Sequence, residues 1–346
     1  AEKIGGWFKR DASASNAMSG VPRNILPHRD TNGSKMIFFG TSTHVYAEYG
    51  GVIRDITPYK TANVNLTNPF TTGTAGSSVV TVTDASNTIA QTTPPSRIVI
   101  SSIASGTVDG VTITAGEYLA TYVSATQYTL TAVAGTGASI SGTASSGSTT
   151  GGGAVVLRYL VSNGPSDGLT GFGFGTGLWS SSTWGTARST SGVVLSPRVW
   201  TMDAWGEDIL ASIGGGEDTL YYFDVSAFIA APATYRGSTL GQYVTSVGGD
   251  ASAIPTKVGV VLVSTPDRHV VVFGSTPEGS ATYDRMTVRW CSQESLSEWN
   301  TAITNTAGSV RLGTGTNIES ASKARGQMVL WTDVDMYGMQ FTGPPF

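Results

Sequence analysis

The sequence predicts an all-β protein, a β-propeller-like body carrying an inserted small β-sandwich or barrel domain. Three observations carry this expectation. Strand-forming runs of four or five residues recur along the chain, each followed by a short turn of Gly, Asp, Ser, Thr or Pro. Charged residues are 13% of the 346, about half the ~25% of an ordinary domain, and Lys-, Glu- and Leu-rich periodic stretches of the helical kind are scarce. Hydrophobic residues nonetheless reach 40% and aromatics 9%, which separates the chain from disordered sequences. A chain this long has room for roughly two domains, each with its own core.

The body is read from four hairpins: "KMIFFGTSTHVYAEY" (35–49), "DILASIGGGEDTLYYFDV" (208–225), "VGVVLVSTPDRHVVVFG" (258–274) and "QMVLWTDVDMYGMQF" (327–341). The runs "VIRDIT" (52–57) and "MTVRW" (286–290) add strands to them. Repeated hairpins of this kind suggest blades packed face to face. Residues 1–65 are assigned to the first part of the body and 158–346 to further blades, the last of them expected to be incomplete at Phe346.

Residues 66–157 break the pattern, with almost no charge and no Trp. The runs "SSVVTVTD", "SRIVISSI", "GVTITAGEYLATYVS" and "QYTLTAV" alternate within Thr-, Ser-, Ala-, Gly- and Val-rich sequence. They predict the inserted β domain, closed by a low-complexity linker, "GTASSGSTTGGG" (142–153). Only "SQESLSEWN" (292–300) has helical spacing, with Glu294 and Glu298 at i and i+4, and a surface turn anchored by Trp299 is the preferred reading.

Little in the sequence points to a reaction, and neither catalytic nor cofactor residues are assigned. "GFGFGTGLWSSSTWGTARS" (171–189) completes neither a dinucleotide fingerprint nor a P-loop. His28, His44 and His269 have no metal-ligand spacing, and Cys291 is the only cysteine, so no metal site is expected. Asp333 and Asp335 are expected to cap a turn; the acidic pairs Glu207–Asp208 and Glu217–Asp218 read as solvated strand ends. The net charge of −4 gives no footprint for clamping nucleic acid. No apolar run approaches the ~20 residues of a membrane span. The remaining candidates are aromatic: Phe172, Phe174, Trp179, Trp184, Trp205 and Trp299, read as core or interface residues, with a sugar-stacking platform as the competing role for tryptophan.

Five stretches in order carry a resemblance: "GVIRDITP" (51–58), "GFGFGTGLWSSSTWGTARS" (171–189), "PRVWTMDAWGEDILAS" (197–212), "VRWCSQESLSEWN" (288–300) and "VLWTDVDMYGMQFTGPPF" (329–346). Together they resemble the tail nozzle, or tail tubular protein B, family of short-tailed bacteriophages. The resemblance implies a non-enzymatic structural protein of the virion tail, assembled in the host cytoplasm as a homo-hexameric ring. The ring would sit below the portal and adaptor proteins, carry tail fibres or spikes, and continue the channel through which double-stranded DNA passes without specific binding. Family members are longer and begin earlier, so the chain is expected to be part of a longer one. The alternative is a carbohydrate-binding adhesin on a β-scaffold; a propeller glycosidase ranks third, because no acid/base pair of carboxylates stands out.

Overall fold

The computed structural model describes residues 18–89, 96–163, 198–216, 218–265 and 267–343. The protein is all-β, and it divides into two compact units. One is drawn from Ala1–Thr57, Val199–Gly237 and Ala253–Phe346, the other from Pro58–Arg198 and Ser238–Ser252.

The first unit opens with β1 (Pro22–Arg29), β2 (Lys35–Thr41), β3 (Val45–Tyr49) and β4 (Val52–Asp55), an antiparallel sheet in chain order. Pro22 and Pro27 stand on β1, an edge strand, where proline is tolerated. The β1–β2 turn closes because the Asp30 carboxylate accepts the Ser34 N–H at 2.6 Å and Gly33 takes a φ of +85°.

The second unit holds β5 (Val64–Thr67), β6 (Phe70–Thr72), β7 (Val80–Thr83), β8 (Ser96–Ile103), β9 (Thr107–Val108), β10 (Val111–Ile113), β11 (Gly116–Ser124), β12 (Gln127–Ala132), β13 (Ile140–Ser141), β14 (Thr150–Gly151) and β15 (Ala154–Tyr159). Eight of them form a barrel-like sheet in the order β14-β6-β7-β12-β11-β8-β15-β5, and β13-β10-β9 form a small second sheet. Alternation points Val80, Val82, Ile98, Ile100, Tyr118, Tyr128, Val155 and Leu157 into one core. The unit begins at Pro58, ahead of the expected 66, because Lys60 donates to the Tyr159 carbonyl and Val161 to that of Pro58.

The expected linker 142–153 is instead part of this unit. Asp109 accepts from the Ser146 N–H at 3.0 Å, the Ser146 hydroxyl at 2.7 Å and the Gly147 N–H at 2.7 Å. β14 then pairs with β6. Glycine-rich, uncharged sequence predicts a linker. Here positive φ at Gly142, Gly147, Gly152 and Gly153 folds it against the sheet.

The chain returns to the first unit with β16 (Thr201–Trp205), β17 (Asp208–Ser212), β18 (Tyr221–Phe223) and α1 (Val225–Ala230). Asp224 caps α1 by accepting the Ala227 N–H at 2.7 Å. β19 (Ser238–Thr239) and α2 (Leu240–Ser246) belong to the second unit. Back in the first unit, β20 (Val258–Val263), β21 (Val270–Ser275), β22 (Asp284–Trp290) and β23 (Gly308–Arg311) form a four-stranded antiparallel sheet; β24 (Ile318–Ala324), β25 (Gln327–Thr332) and β26 (Met336–Met339) form a three-stranded one. All four hairpins read from the sequence are present. Residues 292–300 are a turn, with Trp299 buried and its indole N–H donating to the Leu296 carbonyl at 2.9 Å.

Successive sheets of the first unit meet through their first strands: β1 lies beside β16, β16 beside β20, and β20 beside β24. Aromatic side chains fill the space between β1–β4 and β16–β18, with Phe38 6.4 Å from Phe223 between ring centroids. Trp200 lies against Gly40, where an added Cβ would stand 2.6 Å from the indole. Val271, Phe273, Met286 and Val288 pack on Ile318, Met328 and Leu330 between the last two sheets.

Candidate functional site

A cleft of about 650 Å³ opens between the sheets β20–β23 and β24–β26, within the size range of small-ligand sites, roughly 300–1,000 Å³. Val271, Val288, Leu312, Met328 and Leu330 form its apolar floor. Its position follows from register. Trp290, the last residue of β22, pairs with Gly308, the first of β23. Any Cβ on Gly308 would come within 2.4 Å of the indole, so the ring packs closely against that backbone. The Trp290 Nε1–H donates to the Thr306 carbonyl at 2.9 Å and fixes the ring's orientation.

His269 stands beside this platform. Its Nε2 is 3.1 Å from the Thr306 hydroxyl, and its ring centroid is 4.7 Å from that of Phe341. Burial lowers its pKa below the ordinary 6.5, the nearby Asp267 carboxylate opposing this, which favours the neutral imidazole. The rim is polar: Asp267, Ser309, Gln327 and Gln340 border the opening. The Gln327 Oε1 lies over Gly338, 3.2 Å from where a Cβ would stand. The cleft joins one stacking surface, a neutral imidazole and a ring of amide and hydroxyl groups, chemistry suited to binding.

The residues singled out from the sequence lie elsewhere. Trp299 is fully buried, and its carbonyl accepts from the Arg289 guanidinium at 2.9 Å. Trp205 is buried on β16, with the Arg268 guanidinium 4.8 Å over its ring. Phe172, Phe174, Trp179 and Trp184 lie outside the described residues. Asp333 caps the β24 approach, accepting the Thr316 N–H at 2.7 Å and its hydroxyl at 2.6 Å. The Thr316 hydroxyl bond, first among these, lowers the Asp333 pKa. Among the described residues no three His, Cys, Asp or Glu side chains are grouped to hold a metal ion. No described helix is long and apolar enough to cross a membrane. The cleft's platform was missed because Trp290 and Gly308 meet only through the β22–β23 pairing, which a long intervening loop hides from local pattern.

No family model matches the chain, and neither a curated protein nor a solved structure matches it.

Proposed function

We propose that the chain is a structural component of a bacteriophage tail, a nozzle subunit that assembles as a homo-hexameric ring continuing the DNA channel below portal and adaptor and anchoring fibres or spikes. The observation that carries this reading is where the resembling stretches fall. "GVIRDITP" supplies β4, "PRVWTMDAWGEDILAS" supplies β16 and β17, "VRWCSQESLSEWN" the end of β22 and the turn anchored by buried Trp299, and "VLWTDVDMYGMQF" β25 and β26. These stretches build strands and the contacts between sheets, as in a scaffold protein whose sequence is constrained by packing. Asp203 on β16 is typical: it accepts the Val263 N–H of β20 and pairs with Lys323 of β24, tying three sheets together.

A conduit for double-stranded DNA requires a lumen poor in Lys and Arg, since DNA carries one charge per ~1.7 Å and each neutralised phosphate adds affinity. The 24 acidic against 20 basic residues are compatible with such a surface. Sedimentation analysis of the protein with and without a portal–adaptor complex tests the proposal: a species of six subunits is expected, and a monomer under both conditions would refute it.

A further inference from the structure

We infer that the cleft between β20–β23 and β24–β26 is a carbohydrate-binding site in which a saccharide ring stacks on Trp290. This goes beyond the tail-subunit reading and stands independently of it. The platform is prebuilt: the half-buried indole packs against Gly308 and the apolar cluster between the two sheets, the Nε1–H is held by the Thr306 carbonyl, and the residue lines the cleft. A fixed aromatic plane offers the C–H face of a sugar a large apolar surface with little side-chain entropy left to lose. The Thr306 hydroxyl, by contrast, is taken up within the protein, by the Gln293 N–H at 2.8 Å and by His269. The groups placed to meet sugar hydroxyls are therefore those of the rim, the amides of Gln327 and Gln340 and the carboxylate of Asp267, which border the same opening. Amides donate and accept, and a carboxylate accepts, which suits vicinal hydroxyls. An acidic ligand is disfavoured, because Lys323, the ammonium among the lining residues, is paired with Asp203. A neutral oligosaccharide is the class that fits.

The test uses the whole chain against an array of neutral bacterial-surface and common hexose oligosaccharides, with the affinity of each hit measured by saturation-transfer NMR. At least one oligosaccharide is expected to bind, with Trp290→Leu weakening it about tenfold or more. Trp290→Phe, which keeps an aromatic ring, should retain most of the affinity, and Gln340→Ala should weaken it without altering thermal unfolding. Trp331→Ala removes an exposed indole that does not line the cleft and is expected to leave binding intact. Absence of binding across the array would overturn the assignment. So would binding that Trp290→Leu and Gln340→Ala leave unchanged, or a cleft that takes an apolar peptide and no sugar. None of these results bears on ring formation, so failure here and failure of the tail-subunit proposal are separable.

Discussion

The Lys323 Nζ on β24 lies 2.6 Å from the Asp203 Oδ2 on β16, although the two strands belong to sheets separated by β20. The same carboxylate oxygen accepts the Val263 N–H of β20 at 2.6 Å. Asp203 is buried, whereas the Lys323 side chain is 36% exposed. The two partners therefore contribute unequally. Asp203→Ala leaves a buried N–H unpaired and is predicted to cost about 1–3 kcal/mol. Lys323→Ala breaks a half-exposed ion pair and should cost under ~1 kcal/mol. Chemical denaturation of both variants checks the order; equal losses would contradict it.

Gly40 and Trp200 make a steric prediction. A Cβ at Gly40 would meet not only the indole ring but the Trp200 Cβ, at 2.7 Å, so the tryptophan cannot swing clear. Gly40→Ala is predicted to destabilise by roughly 1–3 kcal/mol, as overpacked cores do. Adding Trp200→Phe, which keeps the Cβ and Cγ that clash, should recover none of that loss, measured as a double-mutant cycle in thermal unfolding.

Acid should loosen the strap across the second unit. The Ser146 hydroxyl bond, followed by the Gly147 and Ser146 N–H groups, lowers the Asp109 pKa below its ordinary 3.8. A depressed carboxylate stabilises the fold above its unfolded value. That contribution is lost as pH falls below 3.8 through the folded-state pKa. Cleavage within 142–149 by an acid protease is predicted to rise as pH falls below 3.8, and Asp109→Ala should show that cleavage already above it.

Cys291 is predicted to be inert in the folded protein. Burial pushes its thiol up to about 12, against the partly opposing N–H bond from Val270 at 3.0 Å. A disulfide reagent at pH 8 should label it only at the rate of unfolding.

The hairpins were legible because their signals are local: strand-forming runs on both sides of a Gly-, Asp- or Thr-bearing turn. "SRIVISSI" coincides with β8 to the residue. The two-residue strands β13 (Ile140–Ser141) and β14 (Thr150–Gly151) escaped, because they carry no pattern and their partners lie far along the chain. The strap 142–153 was misread for the same reason: its anchor, Asp109, is 37 residues from Ser146. Helices α1 and α2 are too short to show a helical period; their caps, Asp224 and Thr239, were the available signal. Of the cleft, Trp290 was visible as one tryptophan among eight, but its glycine bed and its neighbour His269 became apparent only through sheet register.

Ring formation by the proposed tail subunit is tested most directly by electron microscopy of the protein assembled on a portal–adaptor complex. Six-fold rings with a central bore whose wall is neutral to acidic are expected. Dispersed monomers, or a continuous Arg/Lys belt around the narrowest part of the bore, would contradict it.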